Sequence, residues 1–124
     1  MKTSYFANYK KLDRSKYIGV SVALYTPDSI FHHILDFAPS KSLLMRYKQG
    51  LVNEEQYTKE YTEQLDELFD DGSMVNTLSY LNNLEKRYNK EIVLLCYEGK
   101  GKFCHRHILS KYINDKFNLD IREI

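Results

Sequence analysis

The segment Ile92 to Tyr97, with the sequence IVLLCY, constrains the fold of this chain more than any other segment. Its residues are apolar at almost every position, without the alternation of apolar and polar side chains that a half-exposed strand shows. A strand that is covered on both faces has this pattern, because both sets of side chains are then buried. We therefore expect a central strand here, in a sheet with further layers packed against it.

Three further strands are expected. The segment Tyr17 to Tyr25 is rich in β-branched and aromatic residues and stops before Thr26-Pro27, which is typical of a strand. Residues 3–7 and residues 119–124 are also expected to form short strands, the second of them at an edge of the sheet.

Four helices are indicated by capping residues and by apolar side chains three or four residues apart. They are expected to begin near Ser40, Asn53, Ser73 and Phe103. Asn53 and Gln56 are spaced as a reciprocal cap, in which each side chain bonds to the backbone of the other residue.

Strands that alternate with helices predict an α/β fold, and 124 residues is a usual size for one domain. We expect residues 1–124 to form one small three-layer domain, with a mostly parallel, Rossmann-like sheet and helices packed on it. No apolar run approaches the ~18 residues of a membrane span, so no membrane partner is expected. The first residues lack the apolar stretch of a signal peptide, which favours the cytoplasm, where Cys96 and Cys104 would stay reduced.

Charge is distributed unevenly along the chain, although the formal net charge is only +1. Residues 53–71 carry eight carboxylates against one lysine, whereas residues 86–116 carry eight basic side chains against three acidic ones. Such blocks usually do no more than solvate a surface. Because the basic block contains both cysteines, it also favours a positive potential around them, which suits an anionic ligand.

Chemically reactive residue types gather in the segment CYEGKGKFCHR, from Cys96 to Arg106. Cys96 and Glu98 lie where the central strand is expected to end. Cys104, His105 and Arg106 are expected in the first turn of the following helix. Ligands of open α/β sheets bind at such strand ends, and the free N–H groups of a helix start favour anions. Catalytic roles are predicted for Glu98, Cys104 and His105. Substrate-binding roles are predicted for Cys96, Lys100, Lys102 and Arg106.

Helical geometry separates His105, Arg106 and His107. Successive helical residues are about 100° apart, so the apolar face of this helix points His105 toward the sheet. Arg106 then lies at the border of that face, and His107 points to solvent. His32 and His33 lack such a context and are expected on a surface turn.

Three other interpretations of the cluster stay open. A structural zinc site usually has cysteines about two to four residues apart, whereas residues 97–103 separate Cys96 from Cys104. We therefore expect neither a metal nor another cofactor. A reactive thiol at Cys104, acting as a nucleophile or in a thiol redox site, is the second alternative. As a nucleophile it would lack a base, because His105 is expected to face another direction. The third is a non-catalytic module for nucleic acid or protein, and either cysteine could also be a small buried hydrophobe.

The segment LLCYEGKGKFCHRHIL resembles the C-terminal signature of the family called domain of unknown function 488, or DUF488. In that family a strand ends in Cys-x-Glu, and a short loop leads to Cys-His-Arg. TSYFANYKKL, FAPSKSLLMRYKQG and YTKEYTEQL resemble the family as well, so the resemblance covers nearly the whole chain. It implies that the following residues match the family pattern: Cys96, Glu98, Cys104, His105 and Arg106. Relatives often have an arginine where this chain has Leu24-Tyr25, which implies that a second basic contact is missing here.

These observations together predict an anion-binding enzyme whose substrate carries phosphate, either a nucleotide or a nucleic acid. A stacking surface for nucleic acid is conceivable at Tyr5, Phe6 and Tyr9, which lie beside Lys10 and Lys11. The net charge of +1 gives this surface weak support, because nucleic-acid-binding domains usually carry a larger basic excess.

Overall fold

A five-stranded sheet forms the centre of the computed structural model, which describes residues 1–124. The strands are β1 (Lys2–Tyr5), β2 (Tyr17–Ser21), β3 (His32–His33), β4 (Glu91–Cys96) and β5 (Arg122–Glu123). Their order across the sheet is β3-β2-β4-β1-β5, and all neighbouring strands are parallel. The predicted α/β class with a mostly parallel sheet is confirmed, and the sheet is in fact parallel throughout.

Five α-helices connect and cover the strands. They are α1 (Phe6–Tyr9), α2 (Lys41–Lys48), α3 (Glu54–Asp70), α4 (Ser73–Tyr88) and α5 (His105–Phe117). A 3-10 turn at Leu35–Phe37 precedes α2. None of these helices has the length and apolar content that crossing a membrane requires.

The strand β4 lies between β2 and β1, as its apolar sequence predicts. Val20 of β2 is paired with Leu94, and Tyr5 of β1 is paired with Cys96. The side chains from Ile92 to Leu95 are fully buried, which explains the lack of polar alternation. Burying one aliphatic side chain of this size contributes about 1.5–3 kcal/mol, so this strand is a large part of the hydrophobic core.

Alternate residues of β4 contact two different hydrophobic clusters. Ile92 and Leu94 belong to the larger cluster, which α3, α4 and α5 complete on one face of the sheet. Val93 and Leu95 belong to a smaller cluster with Tyr9 of α1. The sheet therefore lies between two layers, as predicted, but the second layer is only one short helix and the segments next to it.

Side-chain caps start two of the helices, as predicted. The Oγ of Ser40 accepts a hydrogen bond from the N–H of Leu43 (3.1 Å), and the Oδ1 of Asn53 accepts one from the N–H of Gln56 (2.8 Å). The prediction that the Gln56 side chain bonds back to the backbone of Asn53 is wrong, because this side chain donates to Glu60 instead (3.0 Å).

Several boundaries differ from those expected. The final strand, expected at residues 119–124, is only Arg122–Glu123, and the last helix begins at His105 and not at Phe103. Ser73 is the first residue of α4 and not its cap; Gly72 holds the cap position with a left-handed φ of 83°, and the N–H of Ser73 donates to Asp71 (2.8 Å). The strand predicted at Tyr17 to Tyr25 already ends at Ser21.

The prediction for His32 and His33 is also wrong, because they form the edge strand β3 and not a surface turn. His32 is paired with Val20 of β2, and the Nε2–H of His33 donates to the carbonyl of Ala23 (2.6 Å). A strand of two residues is too short for its alternation to be recognised in a sequence.

Gly19 of β2 allows the Tyr9 ring to pack on the sheet. A Cβ atom at this position would lie 2.6 Å from Cε2 of Tyr9 and 2.9 Å from Cδ1 of Leu95. We expect Gly19→Ala to lower the free energy of unfolding by about 1–3 kcal/mol, measured by urea denaturation, because the core is overpacked. Gly99→Ala is the control, since a Cβ there has no neighbour within 4 Å. Equal stability of the two variants would contradict this packing.

Candidate functional site

A cleft of about 560 Å³ opens where β2 and β4 end and α5 begins. Its opposite wall comes from α2 and the start of α3. The predicted site residues that line it are Cys96, Glu98, Lys102, Cys104 and His105. Lys100 and Arg106 do not line it. The fold therefore brings five of the seven predicted residues to one cavity.

Cys96 and Cys104 are joined by a disulfide bond. Cys96 is the last residue of β4 and Cys104 is the N-cap residue of α5, so the loop at residues 97–103 folds back between them. A left-handed φ of 78° at Gly101 permits this turn. The expectation that both cysteines stay reduced is corrected here, because the fold brings the two sulfurs into contact.

His105 points toward the sheet, as the helical phase predicts, and is buried. Its Nε2–H donates to the carbonyl of Val22, which follows β2, at 2.6 Å. Burial lowers the pKa of His105 to about 4; the charge of Arg106 also lowers the pKa, while the hydrogen bond to Val22 raises it. The ring is therefore neutral near pH 7, with its proton on Nε2 and a free lone pair on Nδ1.

The free Nδ1 of His105 lies 3.6 Å from the Sγ of Cys104. The prediction that His105 faces away from this sulfur is therefore wrong. Cys104 has extended backbone angles (φ −155°, ψ 146°), so the 100° helical step does not relate its side chain to that of the next residue. If the disulfide is reduced, this nitrogen is placed to accept a hydrogen bond from the Cys104 thiol.

Arg106 is fully buried, so its expected position at the border of the apolar face is corrected. Its Nε and Nη2 donate to the two carboxylate oxygens of Glu123 (3.0 and 2.8 Å). Nη1 donates to the Sγ of Cys96 (2.9 Å) and to the carbonyl of Glu98 (2.6 Å), and Nη2 also donates to that of Gly99 (3.4 Å). Because these five contacts use the five N–H groups of the side chain, they favour a structural role for Arg106 over direct substrate binding.

Glu123 is the residue supporting this site that the sequence missed most completely. It lies on β5, 17 residues after Arg106, and its carboxylate also accepts a hydrogen bond from Thr3 of β1 (2.8 Å). Burial raises the pKa of Glu123, but the hydrogen bonds from Arg106 and Thr3 and the guanidinium charge outweigh it, so the pKa lies below its ordinary value. No local motif marks this partner, since only the position of β5 beside β1 brings it near.

The charged lining of the cleft is balanced. Glu98 and Lys102 come from the loop after β4, as predicted, and the opposite wall adds Lys48 of α2 and Glu54 of α3. Lys48 and Glu54 were not predicted, because in the sequence they look like ordinary solvated positions of helix ends. Two lysines against two glutamates give separate positive and negative groups, and not the uniformly positive potential that the basic block suggests.

Three aromatic rings form one wall of the cleft: Tyr47, Tyr57 and Phe103. Each ring centroid lies 5.1–5.4 Å from the other two. Burial, followed by the proximity of Tyr47, raises the pKa of Tyr57 well above its ordinary value, so this ring stays neutral. The sequence showed Tyr57 only as part of the apolar stripe of α3, and it did not reveal that the stripe continues into a cleft.

Metal-ligating atoms also meet at this site. The two sulfurs and one ring nitrogen of Cys96, Cys104 and His105 all lie within 4.8 Å of one another, and all three residues are buried. Glu98 is exposed in the same cleft, where a carboxylate can give or take a proton. The arrangement therefore places two cysteine sulfurs, a fixed imidazole and an exposed carboxylate around one cavity.

We expect Glu123→Gln to lower the free energy of unfolding by about 2 kcal/mol at pH 7, because it leaves the buried guanidinium without its counter-charge. The pKa of Glu123 is lowered in the folded protein, so its stabilisation is present above the unfolded value of about 4.3 and is lost as the pH falls through the folded value. Urea denaturation should therefore show that wild type and variant converge below about pH 4.

Asp120→Asn is the control for this prediction, since Asp120 pairs with Arg122 on the exposed surface (2.9 Å). It should change the free energy of unfolding far less. A Glu123→Gln protein as stable as wild type at pH 7 would show that the buried ion pair contributes nothing to the fold.

Comparison with known proteins supports the family resemblance. The family model described as the active DUF488-N3 subclade matches residues 10–117, which is most of the chain. No curated protein and no solved structure matched the chain. The match contains α2 to α5, β2 to β4 and every candidate site residue from Cys96 to Arg106. The chain therefore belongs to the DUF488 family, whose function is unknown.

Proposed function

We propose that the cleft binds a nucleotide and that the protein is an enzyme acting on this phosphate-bearing substrate. The observation that carries the proposal is the combination of an aromatic wall, two lysines and an exposed carboxylate in one cavity at the carboxyl ends of β2 and β4. Ligands of open α/β sheets bind at such ends, and ligand cavities usually measure about 300–1,000 Å³. A cleft of about 560 Å³ is large enough for a nucleotide.

The aromatic wall supports a planar group in the ligand. Tyr47 and Phe103 are half-buried, so each offers part of its ring to the cavity, whereas Tyr57 is buried behind them. Stacking of a base on an aromatic side chain typically contributes about 1–3 kcal/mol. A heterocyclic base is therefore favoured over an aliphatic ligand at this wall.

The lysines and the loop before α5 support a phosphate group. Lys102 and Lys48 both line the cleft, and Lys102 precedes the first residue of α5 by three residues. Backbone N–H groups at the start of a helix favour negative charge, and the lysine ammonium adds a second attraction. Arg106 supports this loop through the carbonyls of Glu98 and Gly99, so it positions the phosphate site without occupying it.

Glu98 is the proposed acid–base group, because its carboxylate is exposed in the cleft and makes no hydrogen bond to another residue. The Nδ1 of His105 offers a second hydrogen-bond acceptor, and its ring is fixed by Val22. Cys104 joins these two groups in catalysis when its thiol is free. The remaining candidate function is a non-catalytic module for a nucleic acid or protein, which would bind without turnover.

Lys102→Met should raise the dissociation constant of a nucleoside monophosphate or diphosphate about tenfold, because a charged hydrogen bond to phosphate is lost. Lys100→Met is the matched control, since Lys100 is an exposed residue of the same loop but does not line the cleft. Isothermal calorimetry of the wild-type protein and both variants measures the effect. Binding should also weaken as salt rises, because screening shortens the range of the attraction.

Equal effects of the two lysine variants would mean that general surface charge attracts the ligand. A panel of nucleotides that shows no binding at low salt would refute the proposed substrate class. Turnover followed by mass spectrometry, and its loss in Glu98→Gln with binding retained, separates an enzyme from a binding module.

A further inference from the structure

We propose that reduction of the Cys96–Cys104 disulfide creates a binding site for one zinc ion, held by both thiolates and by Nδ1 of His105. The three donor atoms already lie within 4.8 Å of one another. Zinc prefers sulfur and nitrogen ligands in a tetrahedral arrangement, which is the donor set present here. This inference concerns the metal chemistry of the site and does not depend on the proposed nucleotide.

The donor positions fit a zinc tetrahedron. Zinc–sulfur bonds of about 2.3 Å and zinc–nitrogen bonds of about 2.0–2.1 Å place a sulfur and a nitrogen ligand about 3.5 Å apart. The observed separation between the Sγ of Cys104 and the Nδ1 of His105 is 3.6 Å. Reduction frees the two sulfurs to separate to the distance of about 3.8 Å that two thiolates on one zinc ion require.

His105 is oriented as a metal ligand. A histidine that binds a metal through one ring nitrogen almost always donates the other N–H to a carbonyl or carboxylate, which fixes the tautomer. Here Nε2–H donates to the carbonyl of Val22 at 2.6 Å, and the N–H of Val22 donates to Leu95 of β4 at 2.9 Å. The strand end therefore holds the ring with its Nδ1 lone pair toward the sulfurs.

Arg106 stabilises the sulfur ligands. Its Nη1 lies 2.9 Å from the Sγ of Cys96, and a hydrogen bond from a guanidinium favours the thiolate over the thiol. Two thiolates also balance the charge of a Zn²⁺ ion. All three ligand residues are buried, so the site excludes most competing water.

The fourth position of the zinc ion would face the cleft, because Cys96, Cys104 and His105 all line it. Three protein ligands with one open position are typical of catalytic zinc, where water or a substrate oxygen completes the tetrahedron. The spacing of the cysteines argued against zinc in the sequence. The usual spacing of about two to four residues applies to two cysteines on one short loop. Here the cysteines come from the end of β4 and the start of α5.

Oxidation by a small-molecule disulfide reverses the binding. The two zinc-bound thiolates lose two electrons and form the Cys96–Cys104 bond, the small disulfide gains these electrons and becomes two thiolates, and the zinc ion is released. The disulfide observed here is then the metal-free, oxidised form of the same site.

The test titrates the full chain, reduced under anaerobic conditions, with Zn²⁺ in competition with a chromophoric chelator, and with Co²⁺ followed by absorbance. We expect one metal ion per chain, thiolate-to-cobalt charge-transfer bands and no binding by the oxidised protein. Changing a residue that hydrogen-bonds to a metal ligand typically lowers the metal affinity about 10- to 100-fold. Loss of a ligand itself, in Cys96→Ser or Cys104→Ser, should therefore lower the zinc affinity more than about 100-fold. His105→Gln should weaken binding similarly, whereas His107→Gln should not change it.

Three outcomes would overturn the proposal. If the reduced wild-type protein does not take Zn²⁺ from the chelator, the site does not exist. This measurement compares reduced with oxidised wild-type protein, so it does not depend on whether a variant folds. Co²⁺ bound without thiolate bands would place the metal elsewhere. Equal losses in His105→Gln and His107→Gln, with unchanged thermal melts, would remove His105 from the ligand set.

Discussion

The guanidinium of Arg106 is the contact on which the architecture of the site depends. It is fully buried, and it joins the edge strand β5 through Glu123, the central strand β4 through Cys96, and the loop after β4 through two carbonyls. A buried charge is tolerated only when its hydrogen bonds are satisfied, so these four partners are held in one arrangement. The ion pair between Arg106 and Glu123, which lies behind the wall of the cleft, therefore fixes the position of that wall.

This arrangement separates two tasks that the sequence assigned to one cluster. Residues behind the wall, Arg106 and Glu123, fix the positions of the strand end and the loop. Residues on the wall, among them Glu98, Lys102 and His105, line the cleft itself. The sulfurs of Cys96 and Cys104 lie at the boundary, where their oxidation state determines whether the site holds a covalent bond or two metal-ligating thiolates.

The sequence predicted the central strand and the gathering of several candidate residues where that strand ends, because both depend on local patterns. The apolar run at Ile92–Leu95 needs cover on both faces, and Cys96 and His105 lie at the end of a strand and the start of a helix. The contacts between distant segments could not be predicted in this way. Glu123 reaches Arg106 only through the pairing of β5 with β1, and Lys48 reaches the cleft only through the packing of α2 on α3. The relative directions of the Cys104 and His105 side chains were also predicted wrongly from helical phase, because the backbone of Cys104 is extended and not helical.

Hydrogen exchange of Arg106→Lys tests the central claim most directly. Lysine keeps the positive charge opposite Glu123, but its single nitrogen cannot reach Cys96 and the two loop carbonyls as the planar guanidinium does. If Arg106 organises the site, amides of residues 97–103 and 121–124 should exchange faster, while those of α3 and α4 keep their protection. The control is Arg87→Lys, at an exposed position on α4. Unchanged protection of residues 97–103 in Arg106→Lys would contradict the claim that the buried guanidinium holds the wall of the cleft.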